Sequence, residues 1–386
     1  MRGTHWAAVI GIACCVACSS SKSNGNDGNG ASGTGGGGEA GANGGSGSGA
    51  GQNGSGVSGN GGSGNGASGS GAGGNGAGGN GASGSGAAGS GGGNGTSPML
   101  GGCAIYPADN AWNTRIDDTS KYPADPSSAA ILQNISDHAQ NDYEHKLHPD
   151  FGSDFGIPFV IVPESQAKVP ITFNEDPTES DPGPYPIPPD APVEGGSDAH
   201  VLVLQQGACM VYEIGNASYD NPGWSCGWGA KFDLSTNDVR TVPNASCPTS
   251  ADAAGLSIFA GLAKYEEVAA GHINHALRFT VRASRKAFVR PATHYAATNT
   301  DADFPPMGMR VRLKAVPSGL TGQALIVATA LKEYGLILAD NGSNWFITGA
   351  PNAGWNDDDL NQLKDIPETD FEVVKMDKIY TEADCP

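Results

Sequence analysis

Alternation of apolar and polar residues predicts a chain built mainly from short β-strands. The clearest alternation spans residues 273–282, where His275, Leu277, Phe279 and Val281 share one face and polar or small residues share the other. We expect further strands at residues 158–162, 169–173, 200–204, 209–214, 287–289, 309–313, 336–339, 345–348 and 371–374. The strand at residues 273–282 should be the centre of the fold, because no other stretch alternates for as long.

Turn residues predict how some of these strands pair. The Gln206-Gly207 turn indicates a hairpin between residues 200–204 and 209–214, and the Asp-Asn-Gly-Ser turn at 340–343 indicates a second hairpin between 336–339 and 345–348. The stretch from Asn174 to Ala199 is rich in proline and acids, so it cannot pair centrally in a sheet and is expected to be a long extended loop.

Few segments show helical spacing. Residues 321–334 carry apolar side chains at helical intervals and stop at Gly335, and shorter helices are expected at 127–138 and 358–363. Many short strands with few helices favour a mainly β fold, a β-sandwich or jelly-roll-like domain with a few helices. A mixed α+β sheet is the alternative.

Composition divides the chain into three parts. In residues 21–100 glycine alternates with Asn, Ser and Ala, and such a segment cannot bury enough apolar surface to offset chain entropy. We therefore expect a signal peptide at residues 1–17, a disordered Gly/Ser/Asn-rich tether at 18–100 and a single folded extracellular domain at 101–386.

The N-terminus resembles a bacterial lipoprotein signal. An apolar run too short to cross a bilayer ends at Cys15-Val16-Ala17-Cys18 and is followed by a serine run. The resemblance implies that Cys18 is lipidated. It also implies an extracytoplasmic location, anchored to the membrane at the cell surface or in the periplasm, with a secreted protein as the alternative.

The net charge of −19 lies entirely on residues 101–386, because the four charged residues before them cancel. A nucleic-acid partner is excluded on this ground, since it would need a basic face, and contact with a membrane is expected through the lipid anchor only. No Walker loop or Rossmann fingerprint is present, so no nucleotide cofactor is expected.

Five cysteines remain in the folded part, and export favours disulfides among them, which an odd number limits to at most two pairs and one free thiol. The predicted pairs are Cys226–Cys247, which would close a polar loop, and Cys103–Cys385, which would join the two ends of the domain. Cys209 lies in an apolar run and is expected to be a buried free thiol.

Ionisable groups are concentrated in residues 249–313. The candidate catalytic residues there are Asp252, Glu266, His275, Arg278 and His294. Two carboxylates across a cleft can cleave a glycosidic bond, and Arg278 could pair with one of them or hold an acidic sugar. The alternative is a purely structural role, in which the charged residues form ion pairs and the histidines pack in the core.

Aromatic and acidic side chains elsewhere are candidates for ligand binding. They are Glu213, Trp224, Trp228, Asp340 and Trp345. Trp224 and Trp228 would point the same way in one extended segment and form a platform for stacking sugar rings, although such a pair also suits a core.

No metal or cofactor is assigned. Zinc could use His272, His275 and His294, but alternation would point His272 and His275 to different faces. Calcium could use the acidic loop 174–199, whose spacing matches no known calcium loop. Both sites are therefore minor alternatives.

The motifs HPDFG, GIPF, SADAAGL, HALRFT, PPMG and YGLILADNGS resemble an uncharacterised family of secreted bacterial proteins. That resemblance implies no activity. From the residues alone we expect a surface-tethered carbohydrate-active domain, a polysaccharide hydrolase using two carboxylates. The alternatives are a non-catalytic glycan-binding module and a structural or adhesion surface protein.

Overall fold

The computed structural model describes residues 97–243 and 245–385, and the predicted mainly β fold is confirmed. The predicted signal peptide, Cys18 and most of the tether lie outside the described residues. The strands are β1 (Met99–Leu100), β2 (Cys103–Ala104), β3 (His148–Asp150), β4 (Phe159–Val162), β5 (Ile171–Phe173), β6 (Val201–Gln205), β7 (Met210–Gly215), β8 (Ser218–Asp220), β9 (Gly223–Cys226), β10 (Trp228–Asp233), β11 (Leu277–Val281), β12 (Arg285–Val289), β13 (Pro306–Met307), β14 (Arg310–Leu313), β15 (Leu336–Asn341), β16 (Phe346–Thr348), β17 (Phe371–Val373) and β18 (Ile379–Tyr380).

Helices are short and few beside these strands. They are α1 (Ser128–Asp137), α2 (Ile258–Gly261), α3 (Tyr265–Ala269), α4 (Gly322–Glu333) and α5 (Asp357–Leu360), with 3₁₀ turns at Asp142–His145, Asn361–Asp365, Glu368–Asp370 and Glu382–Asp384. Helix α4 ends as its spacing predicts, because Gly335 has φ +76° and a Cβ there would lie 2.3 Å from the Val311 carbonyl oxygen.

The central sheet has six strands in the order β17-β14-β15-β11-β16-β3. Strand β11 runs parallel to β15 and antiparallel to β16, and β16 runs parallel to β3, so the sheet is mixed. The predicted hairpin between β15 and β16 is wrong, because β11 lies between them. Leu277 and Phe279 are fully buried, and a strand this apolar is stabilised most by a central position.

A second sheet has four strands in the order β10-β7-β6-β4, and three smaller sheets flank the two large ones. Strands β6 and β7 pair as the hairpin predicted from the Gln206-Gly207 turn. The main apolar core packs on the central sheet, where Trp345 stacks between Phe279 and Phe371. A smaller core around Tyr185 and Tyr212 covers the outer side of the four-stranded sheet.

The predicted disulfide pairs are wrong. The structure joins Cys103 to Cys209 and Cys247 to Cys385, and it leaves Cys226 as a buried free thiol. The segment before β2 packs over the β6–β7 turn, where Gln206 donates a 2.8 Å hydrogen bond to the Gly101 carbonyl oxygen, and this contact brings Cys103 to Cys209. Two disulfides indicate an oxidising, extracytoplasmic environment.

Within residues 97–243 and 245–385, the structure contains no helix with the length and apolarity that crossing a membrane requires.

Candidate active site

A polar row crosses four adjacent strands of the central sheet on one face. Arg278 on β11 donates a 3.0 Å hydrogen bond from Nη1 to Thr348 Oγ1 on β16, and its Nη2 lies 3.8 Å from Asp340 Oδ2 on β15. Thr348 is paired in register with Asp150 on the edge strand β3. Asp340 pairs with Thr280, two residues after Arg278 on β11. Because paired residues, and residues two apart in a strand, project to the same side of a sheet, the four side chains lie on one face, and we call them the polar row.

Asp252 covers this row from the loop before α2. Its Oδ2 accepts a 3.3 Å hydrogen bond from Arg278 Nε, and the loop is fixed by Ser250, whose Oγ accepts from the Asp252 backbone N–H and donates to the Leu256 carbonyl oxygen. Among the described residues, Asp252 Oδ1 is buried and has no hydrogen-bond partner. Burial raises the pKa of Asp252 to about 6, although the Arg278 charge opposes the shift.

Asp340 is the member of this network that reaches solvent. Its side chain is 29% exposed, whereas the side chain of Asp252 is fully buried, so Asp340 alone of the two can meet a ligand. Burial and the negative charge of Asp252 raise the pKa of Asp340 to about 7. A carboxyl group with this pKa can hold a proton near neutral pH and give it up in a reaction.

A second charged pair borders the row from the loop before β6. His200 Nδ1 lies 2.5 Å from Glu194 Oε2, and its Nε2 lies 2.9 Å from the Ala251 carbonyl oxygen. Both partners accept hydrogen bonds, so both ring nitrogens carry protons and the imidazole is cationic. Burial is the largest single effect and opposes that charge, but the hydrogen bond to Glu194 and the charge of Glu194 together outweigh it and raise the pKa of His200.

Glu194 is ionised as a result. Burial works against the ionised form, yet the hydrogen bond and charge of His200 hold the pKa of Glu194 below its usual range. Its side chain is 19% exposed. Asp150 lies at the rim nearby, where desolvation and the Glu194 charge raise its pKa. The site therefore contains carboxyl groups whose pKa values are shifted in opposite directions: those of Asp340 and Asp150 are raised and that of Glu194 is lowered.

The predicted catalytic residues do not all meet. Asp252 and Arg278 are in contact, and Asp340, predicted as a ligand-binding residue, joins them. Glu266 is exposed and outside the row, whereas its neighbour Glu267 lies 3.1 Å from the buried His275. His294 lies in a separate cavity of about 290 Å³ beside the Cys247–Cys385 disulfide, with its Nε2 4.0 Å from Glu179 Oε2.

Glu213 stabilises a helix instead of facing a ligand. Its buried carboxylate accepts hydrogen bonds from Ser257 Oγ at 2.7 Å and from the backbone N–H groups of Ile258 and Phe259 at 3.0 Å each. The two backbone N–H groups belong to the first turn of α2 and have no partner within the helix. Glu213 thus links β7 to the loop that carries Asp252.

The predicted tryptophan platform is wrong. Trp224 is 2% exposed and packs in the smaller core, while Trp228 is partly buried against the main core. Gly227 separates β9 from β10, so the two rings do not share one extended strand. Trp345 is fully buried between two phenylalanine rings. These side chains are core residues.

Sequence reasoning missed Asp150, Glu194, His200 and Thr348. Thr348 and His200 lie at the ends of predicted strands and Glu194 lies in the acidic loop before one, and polar groups at such positions are a usable signal. Asp150 lies where no strand was predicted. Their convergence depends on long-range strand order. In the described part of the chain, no three His, Cys, Asp or Glu side chains are arranged to hold a metal ion.

Comparison with known proteins adds no relative: no family model, curated protein or solved structure matches the chain.

Proposed function

We propose that the folded part of this chain is a carbohydrate-active domain that hydrolyses a polysaccharide with two carboxyl groups. The observation that supports the proposal is the contrast between Asp340, whose Oδ2 lies 3.8 Å from the buried Arg278 Nη2, and Glu194, which interacts with the same guanidinium through its charge. One holds a proton near neutral pH and the other is ionised, and glycosidic cleavage needs this division between two carboxyl groups.

Asp340 is the general acid in this scheme. It transfers its proton to the glycosidic oxygen as the bond from that oxygen to the anomeric carbon breaks. Glu194 is the second carboxylate, which either attacks the anomeric carbon or takes a proton from the attacking water. Asp252 is a positioning residue, because it is buried behind Arg278 and acts on Asp340 through its charge.

The sugar at the point of cleavage is uncharged or cationic in this proposal. Arg278 is 3% exposed and its guanidinium already contacts Asp252, Thr348 and Asp340, so it cannot also bind an acidic sugar. The remaining groups at the rim, Asp150 and Glu194, are carboxylates and repel a uronate. Neutral glycans should therefore be cleaved in preference to uronate polymers.

The location is proposed on the disulfides and the N-terminal resemblance together. Disulfides support maturation outside the cytoplasm, and lipidation at Cys18 would anchor the domain to a membrane. Detergent phase partitioning of the full chain tests this anchor. The wild type should enter the detergent phase and Cys18→Ala the aqueous phase, whereas identical partitioning would contradict it.

The activity is tested by digesting a panel of neutral, amino-sugar and uronate polysaccharides with the full-length protein. Asp340→Asn and Glu194→Gln should each lower the cleavage rate by at least about 100-fold, as expected for loss of an acid or base. Glu266→Gln is the matched control, because Glu266 is exposed and outside the row. Binding without cleavage would favour the glycan-binding alternative, and equal cleavage by all variants would refute the assigned roles.

A further inference from the structure

Three aromatic side chains lie on the surface next to the polar row. The Phe346 and His148 rings stack at 5.0 Å and 16°, and the Tyr143 ring meets them edge-on at 6.4 and 5.2 Å. Tyr143 is 46% exposed, and the other two side chains are partly exposed. We call Tyr143, His148 and Phe346 the aromatic patch.

The patch shares a face of the sheet with the polar row. Phe346 is two residues before Thr348 on β16, and His148 is two residues before Asp150 on β3, with Phe346 paired to His148 and Thr348 paired to Asp150. Residues two apart in a strand project to the same side and are separated by about 7 Å. The patch therefore lies about 7 Å along the strands from Thr348 and Asp150, a distance comparable to one sugar unit, and Asp340 flanks it across β11, where it pairs with Thr280.

The surrounding structure fixes the patch in place. The 3₁₀ turn that carries Tyr143 is joined to the end of β11 by Arg282 Nε, which donates a 2.9 Å hydrogen bond to the buried Glu144. His148 Nε2 lies 2.9 Å from the Tyr143 carbonyl oxygen, and burial lowers the pKa of His148, which favours an uncharged ring. A rigid, uncharged aromatic surface loses little conformational entropy when a ligand stacks on it.

We infer that the aromatic patch is a subsite for one sugar ring of a β-1,4-linked glycan whose next linkage lies over the Asp340–Arg278–Asp150 row. This inference rests on the proposed function and names its substrate class. A pyranose with equatorial hydroxyl groups presents flat C–H faces, which pack on aromatic rings as apolar surface. A β-1,4-linked chain of such sugars is extended and can follow the strand direction from the patch to the row.

The test measures binding of cellohexaose and chitohexaose to the full-length Asp340→Asn protein by titration calorimetry. At least one of them should bind, and adding Tyr143→Ala should weaken that binding about five- to tenfold, as expected for one aromatic contact. Tyr143→Phe should retain the affinity, because it keeps the ring. Phe155→Ala is the matched control, since Phe155 is also 46% exposed and belongs to the loop after β3.

Three results would each overturn the subsite. They are binding of neither hexasaccharide, an equal affinity for Tyr143→Ala and its parent, and a loss of affinity in Phe155→Ala equal to that in Tyr143→Ala. None of these results decides the proposed hydrolysis, because cleavage of another glycan that depends on Asp340 and Glu194 would still support it. If the wild type cleaves no glycan in the panel but Asp340→Asn binds a hexasaccharide in a Tyr143-dependent way, the subsite is supported and the hydrolase is refuted.

Discussion

Arg278 Nε donates a 3.3 Å hydrogen bond to Asp252 Oδ2, and the two side chains are 4% and 0% exposed. This pair connects the central strand β11 to the loop that begins α2. Buried charges are costly unless they are paired, so the guanidinium and its acidic neighbours depend on each other. The same pair sets the charge next to Asp340, and it therefore links the stability of the fold to the chemistry of the site.

Replacing Arg278 should destabilise the protein strongly. Arg278→Met leaves Asp252 buried without a cation and should lower the free energy of unfolding by about 3 to 5 kcal/mol. Urea denaturation followed by tryptophan fluorescence measures this change. The double variant Arg278→Met/Asp252→Asn should recover part of the lost stability, because it removes the unpaired buried carboxylate. Simple additivity of the two single changes would contradict the pairing.

Glu213 should be important for folding and unimportant for ligand binding. Glu213→Ala leaves three donors at the start of α2 without an acceptor in a buried environment, and the cost should be on the order of 3 kcal/mol. Glu213→Gln should cost less, because its side-chain oxygen still accepts a hydrogen bond. Glu266→Ala is the control and should be nearly neutral. A loss of glycan binding with unchanged stability in Glu213→Gln would contradict this role.

Local patterns in the sequence predicted the elements better than their pairing. Strands β6 and β7 follow from two short apolar runs on either side of the Gln206-Gly207 turn, and α4 follows from helical spacing with Gly335 as its stop. The hairpin between β15 and β16 is wrong because both strands pair with β11, which is distant in sequence. Turn residues report local geometry, whereas strand order depends on which strand gains most from burial.

The candidate site shows the same limit. Asp252 and Arg278 were recognisable because a carboxylate and a guanidinium occur among core residues, and such groups need partners when buried. His275 carries the same signal, but its partner Glu267 forms a separate pair away from the row. Glu194 and His200 meet because the acidic loop folds back on the start of β6. That contact leaves no periodic pattern in the sequence.

The disulfide pairing gives a direct check on the long-range contacts. Peptide mapping without reduction should recover Cys103 linked to Cys209 and Cys247 linked to Cys385. Cys226 should resist alkylation in the native protein, because it is buried and burial raises the pKa of its thiol to about 12. It should react after denaturation, with Cys226→Ser as the control. Recovery of a Cys226–Cys247 link would contradict the structure around β9.

The pH dependence of cleavage should be set by Asp340 at its alkaline limb. A general acid works only while protonated, and with a pKa of about 7 Asp340 loses its proton as the pH rises through that value. Cleavage should therefore decline above about pH 7. The Asp252 charge is one cause of the raised pKa, so Asp252→Asn should lower the pKa of Asp340 and move the decline to lower pH. Profiles of kcat/KM against pH for wild type, Asp252→Asn and the Glu266→Gln control measure the shift. An unchanged or upward shift in Asp252→Asn would show that Asp340 is not the acid under the control of Asp252.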